Sequence, residues 1–157
     1  MEKTLELLSN ITDIYMTDTV LEEILLLTVR ITASSLGFKT CSILLVDEER
    51  DALVLRATQS LSEAYKSMPP LRIDEDCSGI AVREKRPVFV PDVSSDPKYI
   101  RRETARSEGL VSMLSVPMIV RDKAIGVLNV YTSTFHEFSK EEILSLIHIS
   151  EPTRQAE

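Results

Sequence analysis

Two cysteines and two histidines are the side chains in this sequence best suited to nucleophilic, basic or metal-binding chemistry. Cys41 and Cys77 are far apart, with no CxxC pair and no neighbouring histidine, so their spacing fits neither a zinc site nor a redox motif. Cys77 precedes Ser78-Gly79 at the predicted start of a short helix, where the positive end of the helix would lower the pKa of a thiol. The alternative is a buried packing residue. We favour that alternative because no resolving cysteine lies nearby in the sequence.

Catalytic sequence motifs are absent from the chain. His136 and His148 are the only histidines that could act as the base required by a serine or cysteine nucleophile. The sequence contains four glycines and no GxSxG, GxxxxGKS/T, GxGxxG or HExxH pattern. The acidic residues at 74–76 and 141–142 fit turn and helix-capping positions. We therefore expect no enzymatic activity from this chain.

Four cations lie on one stretch that is predicted to be helical, namely Lys98, Arg101, Arg102 and Arg106. One hypothesis is that they pair with Glu103 and Glu108 on a solvated face, which is the usual arrangement of such a run. The other hypothesis is that one or two of them turn inward and meet an anionic ligand. The sequence leaves both open.

Helical spacing predicts two helices at the start of the chain and one at its end. The first spans residues 3–15, and its apolar positions are Leu5, Leu8, Ile11 and Tyr15. The second follows a possible cap at Asp18 or Thr19, and its apolar stripe is Val20, Ile24, Leu27 and Ile31. Gly37 is suited to the left-handed conformation that ends a helix. Near the other end, Ser139-Lys140-Glu141-Glu142 is a capping box, which predicts the start of a final helix.

Alternating apolar residues predict two β-hairpins. The first joins residues 41–46 to 53–58 through a polar turn, and the second joins Met113–Val120 to Ala124–Tyr131. Between them the sequence predicts a short helix at 78–85, a strand at 88–90, a loop at 91–97 and a charged helix at 98–108 that ends at Gly109. Connections of hairpin length imply an antiparallel sheet flanked by helices, which is an α+β fold.

Composition limits the classes of function further. The chain has 157 residues, 43% of them hydrophobic, which fits one domain with a single core. Its 18 Lys and Arg against 25 Asp and Glu give a net charge of −7, which argues against a nucleic-acid partner. The sequence contains no signal-peptide pattern and no apolar run of membrane-spanning length. We expect a cytoplasmic protein with no membrane segment.

Five segments, in this order, resemble the GAF domain, a small-molecule-sensing module of signalling proteins. They are Ser78–Val90, Pro91–Tyr99, Ser112–Met118, Ile125–Val130 and Phe138-Ser139. They are similar to the family patterns GIAG…tGepv.i, pDv..Dpr, Sll.vPl, iGvl.l and fs..e. The resemblance covers about residues 20–143.

The resemblance implies an α+β fold in α/β/α layers. A central antiparallel sheet of five or six strands would have the terminal helices on one face and a ligand pocket on the other. Residues 77–80 and 92–106 would cover the pocket, and strand residues near Met113 and Ser115 would face it. The ligand-binding residues that it implies are Cys77, Ser78, Asp92, Ser94, Asp96, Tyr99, Arg102, Met113 and Ser115.

The resemblance does not identify a ligand or cofactor. The Cys-His pair of tetrapyrrole-binding members is not matched in this sequence. Neither are the spaced Asn-Lys-Phe-Asp-Glu signature of cyclic-nucleotide-binding members and the cysteines of the free-methionine-sulfoxide-reductase branch. No metal site is expected.

A sensory role follows from the resemblance. We expect a regulatory domain of a two-component sensor kinase or second-messenger enzyme, which forms a homodimer through its terminal helices and signals to a covalently linked output domain. Two alternatives remain open. One is a dimerisation module with no ligand, and the other is an enzyme that acts on a small thiol or sulfoxide through Cys77.

Three segments are predicted along the chain. Residues 1–17 form an N-terminal signalling or linker helix, residues 18–143 form the GAF domain, and residues 144–157 form a non-native tail. The tail, LSLIHISEPTRQAE, resembles the in-frame translation of a transposase-end sequencing adapter. Pro152, soon after the capping box, also departs from a continuing helix.

Overall fold

A computed structural model describes residues 18–60 and 62–150 of the chain. The predicted helix at 3–15 and residues 151–157 of the predicted tail lie outside the described residues. None of the described helices is both long enough and apolar enough to cross a membrane.

Among the described residues, six antiparallel strands form one sheet at the centre of the fold. They are β1 (Thr40–Asp47), β2 (Ala52–Thr58), β3 (Leu71–Arg72), β4 (Val88–Val90), β5 (Met113–Val120) and β6 (Lys123–Tyr131). Their order across the sheet is β3-β2-β1-β6-β5-β4. Both predicted hairpins are confirmed. In the second, Arg121 and Asp122 have φ values of 50° and 64°, as a tight two-residue turn requires.

In the part of the chain that the structure describes, five helices lie on the two faces of the sheet. They are α1 (Asp18–Leu36), α2 (Glu63–Lys66), α3 (Cys77–Glu84), α4 (Arg102–Glu108) and α5 (Lys140–Ser150). Leu25, Val29 and Ala33 of α1 and Leu146 of α5 belong to a core on one face. Tyr65 of α2, Cys77 of α3 and Ala105 of α4 belong to a second core on the opposite face. The predicted α+β arrangement, with the terminal helices on one face, is confirmed.

Two helices differ from the sequence prediction. Helix α4 begins at Arg102 rather than at residue 98, because the backbone nitrogen of Lys98 bonds to the Asp96 side chain in a turn. Helix α2 was not predicted, since only four residues form it. Its N-cap is Ser62, whose hydroxyl accepts a hydrogen bond from the Tyr65 backbone nitrogen at 3.2 Å.

The capping box at the start of α5 is formed as predicted. The Glu142 backbone nitrogen donates to the Ser139 hydroxyl at 3.1 Å, and the Ser139 backbone nitrogen donates to the Glu142 carboxylate at 2.8 Å. The helix continues past residue 143 to Ser150, and Leu146 is fully buried. The non-native origin of residues 144–157 stays a prediction.

The apolar stripe predicted on α1 lies on the outward face of that helix. Val20 is 37% exposed, Ile24 46%, Leu27 58% and Ile31 55%. The opposite face of α1, with Val29 at its centre, packs against the sheet. Helix α1 is therefore apolar on two faces, and within the described residues only one of them is buried.

Candidate ligand-binding site

A row of four polar residues crosses the middle of the sheet on the face opposite α1. Neighbouring residues of the row are paired across adjacent strands, so their side chains share one face, and the row consists of Thr58, Ser42, Asn129 and Ser115. All four residues are buried. Because buried polar groups destabilise a protein unless they are hydrogen-bonded, the polar row needs partners above it.

Hydroxyl groups satisfy one end of the polar row. The Thr58 hydroxyl donates to the Cys41 carbonyl at 3.5 Å, and the Ser42 hydroxyl donates to Thr58 at 3.1 Å. The Tyr65 hydroxyl lies 2.7 Å from the Ser42 oxygen and acts as the donor, since the Ser42 proton is already used. This series of hydrogen bonds fixes α2 over the sheet.

The other end of the polar row is less well satisfied. The Asn129 amide nitrogen donates to the Ser78 hydroxyl of α3 at 3.0 Å. The Asn129 amide oxygen and the Ser115 hydroxyl have no hydrogen-bond partner among the described residues, although both atoms are buried. An unpaired buried polar group costs about 1–3 kcal/mol of stability. Such a cost at the centre of a sheet suggests a role other than stability.

Asp76 joins α3 to the segment that precedes α4. One carboxylate oxygen caps α3 by accepting from the Ser78 backbone nitrogen at 3.2 Å, and the other accepts from the Ile100 backbone nitrogen at 3.2 Å. The Cys77 backbone nitrogen donates to the Lys98 carbonyl at 2.8 Å. Tyr99 and Arg101 are therefore held at a fixed position relative to α3.

A small cavity lies between these elements and the polar row. Its lining residues are Leu44, Tyr65, Met68, Leu71, Asp76, Ser78, Tyr99, Arg101, Asn129 and Tyr131. The volume of the cavity is about 10 Å³, which is enough for about one water molecule. The lining combines apolar side chains with a few convergent polar groups, as is typical of ligand sites.

Three tyrosines surround this cavity. The Tyr131 ring packs edge-on against Tyr65 at 6.3 Å and against Tyr99 at 6.2 Å between centroids. The Tyr99 and Tyr131 hydroxyls are 3.3 Å apart. Burial raises the pKa of Tyr65 to about 12 and raises the pKa values of Tyr99 and Tyr131 as well, so all three remain neutral at physiological pH.

Arg101 lies between the cavity and an outer groove. The groove has a volume of about 520 Å³, and Met68, Leu71 and Arg101 line both spaces. The Arg101 guanidinium is half-buried and donates to the Pro69 carbonyl. Burial lowers the pKa of Arg101, and the nearby Asp76 carboxylate opposes that shift. This contact closes the cavity toward the groove.

Five of the nine residues predicted to bind ligand lie at or beside the cavity. Ser78 and Tyr99 line it. Cys77 and Met113 are fully buried nearby, with their sulfur atoms 3.6 Å apart. Ser115 belongs to the polar row. Their contact with a ligand stays a prediction.

The other four predicted residues lie away from the cavity lining. Asp92 accepts from the Ser94 hydroxyl at 2.7 Å, and hydrogen bonds from Ser94 lower the pKa of Asp92. Asp92 and Asp96 line a separate open depression. Arg102 lies in the outer groove and donates to the Tyr99 and Asp96 carbonyls.

The polar lining residues that the prediction omitted are Tyr65, Asp76, Arg101, Asn129 and Tyr131. Asn129 could have been found, because it is the one amide side chain in the strand sequence KAIGVLNVY, which is apolar between Lys123 and Asn129. Tyr65 could not, because it belongs to a helix too short for a periodic pattern. Of that run of cations, Arg101 lines the cavity, and its contact with an anionic ligand stays a prediction.

The surroundings of Cys77 disfavour its thiolate form. Burial, and the neighbouring Asp76 carboxylate, raise its pKa well above the ordinary value. Burial also raises the pKa of Cys41 to about 12. A thiol whose pKa is raised is a poor nucleophile at neutral pH. Within residues 18–60 and 62–150, no group of three or more His, Cys, Asp or Glu is placed to hold a metal ion.

Comparisons with known proteins agree with this architecture. The family model for the GAF domain matches residues 18–156. No curated protein matches the sequence significantly. Among solved structures, the GAF domain of a phosphoenolpyruvate-protein phosphotransferase from Coxiella burnetii is 26% identical, with 87% of this chain and 83% of that chain covered and a TM-score of 0.73.

Two further solved structures represent different protein classes. The free methionine-R-sulfoxide reductase from Neisseria meningitidis, in complex with its substrate, is 25% identical over 87% of this chain and 81% of that chain, with a TM-score of 0.69. A domain assigned to a two-component sensor histidine kinase protein of Sinorhizobium meliloti 1021 is 24% identical over 86% and 88%, with a TM-score of 0.65. The last likeness shows the fold alone. Because the family model covers most of its length, the chain belongs to the GAF domain family, whose members serve in general as sensory domains.

Proposed function

We propose that this chain is the small-molecule-sensing domain of a cytoplasmic signal-transduction protein and that its ligand binds in the cavity above the polar row. The observation that supports this most directly is the unpaired amide oxygen of Asn129. Asn129 lines the cavity, and a ligand donor that reaches its amide oxygen would supply the hydrogen bond that this atom lacks. The family membership supports a sensory role in general, and the ligand site is our proposal.

The contacts of the cavity suggest how binding reaches the rest of the domain. Residues 62–70, which we call the covering segment, lie between β2 and β3 and supply Tyr65, Met68 and Pro69. Through Tyr65 the covering segment is bonded to Ser42 of β1, and Ser42 is bonded to Thr58 of β2. Helix α1 packs on β1 and β2 from the other face. A ligand that displaces the covering segment therefore alters the strands on which α1 rests.

The output of that change is a shift of the terminal helices. We propose that α1 and α5 transmit it to a covalently linked output domain, of the sensor-kinase or second-messenger type. The size of the shift is limited by the difference between the ligand's affinities for the two arrangements.

An enzymatic function is the less favoured alternative. The Neisseria meningitidis relative is a reductase, but here the raised pKa of Cys77 argues against a thiolate nucleophile. The test is the Cys77→Ser variant, assayed for ligand binding and for reduction of free methionine sulfoxide. A sensor retains binding and shows no turnover before or after the substitution. Turnover that disappears with Cys77 would establish the enzyme.

The exposed stripe of α1 supports a homodimer. Ile24, Leu27 and Ile31 follow the alternating spacing of three and four residues that is typical of a helix-pairing seam. We propose that a second copy of the chain covers this stripe in an antiparallel arrangement. Glu23 and Arg30 flank the stripe one heptad apart, and each lacks an ion pair within the described part of the chain. In the antiparallel arrangement Glu23 of each copy forms an ion pair with Arg30 of the other copy, which gives two equivalent ion pairs. In a parallel arrangement both residues lack a partner.

Sedimentation equilibrium of the full chain tests this interface. Leu27→Glu should dissociate the dimer, while Val120→Glu, at an exposed apolar position on the sheet, should leave it intact. Glu23→Arg alone should weaken association, and Glu23→Arg combined with Arg30→Glu should restore it. A dimer that survives Leu27→Glu, or a double variant without restoration, would contradict the arrangement.

A metabolite screen on the full chain tests the sensory function. Thermal shift and native mass spectrometry should identify a small molecule that raises the melting temperature, with about 2.7 kcal/mol of added stability when the ligand is 100-fold above its dissociation constant. The effect should be lost in the double variant Ser78→Ala/Asn129→Leu and kept in Arg86→Gln, an exposed control. A stable dimer that binds nothing would favour the second candidate, a dimerisation module without a ligand.

A further inference from the structure

The two ends of the cavity differ in charge. At its inner end lie the buried Asp76 carboxylate and the unpaired amide oxygen of Asn129. At its outer end the Arg101 guanidinium separates it from the groove, whose other charged lining residues are Arg72, Arg102, Glu75 and Glu103. The inner end therefore favours a hydrogen-bond donor, and the Arg101 guanidinium at the outer end favours an anion.

Arg101 has no carboxylate partner at ion-pair distance among the described residues. Lys98 pairs with Asp96 at 3.6 Å and Arg72 with Asp74 at 3.4 Å, whereas Arg101 bonds to the neutral carbonyl of Pro69. Its guanidinium is partly desolvated, and the Asp76 carboxylate, which lies beyond ion-pair distance, compensates its charge only in part. A carboxylate matches the planar donor geometry of a guanidinium.

The inner space sets the size of the group that enters it. The cavity volume of about 10 Å³ holds one hydroxyl or ammonium group and nothing larger. A nucleotide base would require displacement of Tyr65, Tyr99 and Tyr131 together. The ligand is therefore small at its buried end.

Resting on the proposed sensory function, we infer that the ligand is a small organic carboxylate that also carries a hydroxyl or ammonium group. Its donor group bonds to the Asn129 amide oxygen. Its carboxylate replaces the Pro69 carbonyl as the partner of Arg101. Binding at Arg101 thus releases the covering segment, which connects recognition of the anion to the change proposed above.

Four three-carbon probes test this ligand class by titration against the full chain. L-Lactate and L-alanine contain the carboxylate and either a hydroxyl or an ammonium group. Propionate lacks the donor, and L-lactamide lacks the carboxylate. We expect lactate or alanine to bind at least about tenfold more tightly than propionate and lactamide, which corresponds to about 1.4 kcal/mol. Which of the two binds identifies the donor.

Variants assign the two ends of the ligand. Arg101→Gln should weaken binding of the preferred probe at least tenfold, while its affinity for lactamide stays unchanged. Arg86→Gln should behave as the wild type. Equal affinity for lactate and lactamide, equal affinity for lactate and propionate, or an unchanged affinity in Arg101→Gln would overturn the inference.

Failure of this inference is distinguishable from failure of the proposed function. If none of the four probes binds but a neutral metabolite or a nucleotide does, and that binding is lost in Ser78→Ala/Asn129→Leu, the sensory function stands and the carboxylate is wrong. If no metabolite binds at all, both fail.

Discussion

The double variant Ser78→Ala/Asn129→Leu should abolish ligand binding without destabilising the domain. It removes the 3.0 Å hydrogen bond between the two side chains and, at the same time, the buried amide oxygen that has no partner. Leucine is close in size to asparagine, so the polar row keeps its packing at this position. The effect on stability depends on the balance between these two losses.

The structure gives the magnitude of each contribution. Loss of one neutral hydrogen bond costs about 1 kcal/mol, and removal of an unsatisfied buried acceptor returns about 1–3 kcal/mol. The expected change in the free energy of unfolding is therefore about 0 to 2 kcal/mol in favour of the variant. For a domain of this size each kcal/mol corresponds to about 2–4 °C in melting temperature. In contrast, Asn129→Leu alone should be less stable than the double variant, because it leaves the Ser78 hydroxyl unpaired.

Urea denaturation followed by circular dichroism measures these changes, and the metabolite titration measures binding in the same samples. Arg86→Gln is the control for both. A loss of more than about 2 kcal/mol in the double variant would refute the reasoning. It would mean that the Asn129 oxygen is satisfied in the folded protein and that the polar row is a structural element.

Three further predictions concern the fold. Leu146→Ala should cost about 2–5 kcal/mol in urea denaturation, whereas Leu144→Ala, at a residue that is 55% exposed, should change stability by less than about 0.5 kcal/mol. Gly79→Ala should destabilise the domain by about 3 kcal/mol or more, because a Cβ there would lie 1.7 Å from the Ile73 carbonyl oxygen; a wild-type melting temperature would contradict this close approach. Burial raises the pKa of Tyr65 to about 12, so the native state keeps a proton that the unfolded chain loses near pH 10. The contribution of Tyr65 to stability should therefore be complete below about pH 10 and fall as the pH rises toward 12, so Tyr65→Phe should reduce the slope of stability against pH in this range by up to about 1.4 kcal/mol per pH unit.

Periodicity and turn chemistry were sufficient to predict most of the fold. The second hairpin follows from two apolar runs around Arg121-Asp122, and α5 follows from the capping box at Ser139. Both features depend on residues close together in sequence, so local physics determines them. The exposed stripe of α1 shows the limit of this approach. A helix that is apolar on two faces has a periodic pattern on each, and only the packed structure shows that Val29, not Leu27, faces the sheet.

The candidate site was harder to predict because its groups come from distant segments. Asn129 and Ser78 meet only after the sheet has formed and α3 has packed on it. The run of cations included the residue that lines the cavity, but the sequence alone did not show whether that residue is Arg101 or Arg102. Adjacent residues at the start of a helix point in different directions, and here one reaches the cavity and the other the backbone of Asp96.

If the domain senses a carboxylate as proposed, the contact between Arg101 and the Pro69 carbonyl affects the ligand concentration at which it responds. A ligand carboxylate competes with that carbonyl, so only molecules with a displaced covering segment are ready to bind. If such molecules are about 1% of the population, the apparent dissociation constant is about 100-fold weaker than the intrinsic one. Substitutions that weaken closure, such as Ser62→Ala at the cap of α2, would then lower the response threshold without touching the ligand. The sensitivity of the domain is thus adjustable at the covering segment, independently of its selectivity at Arg101 and Asn129.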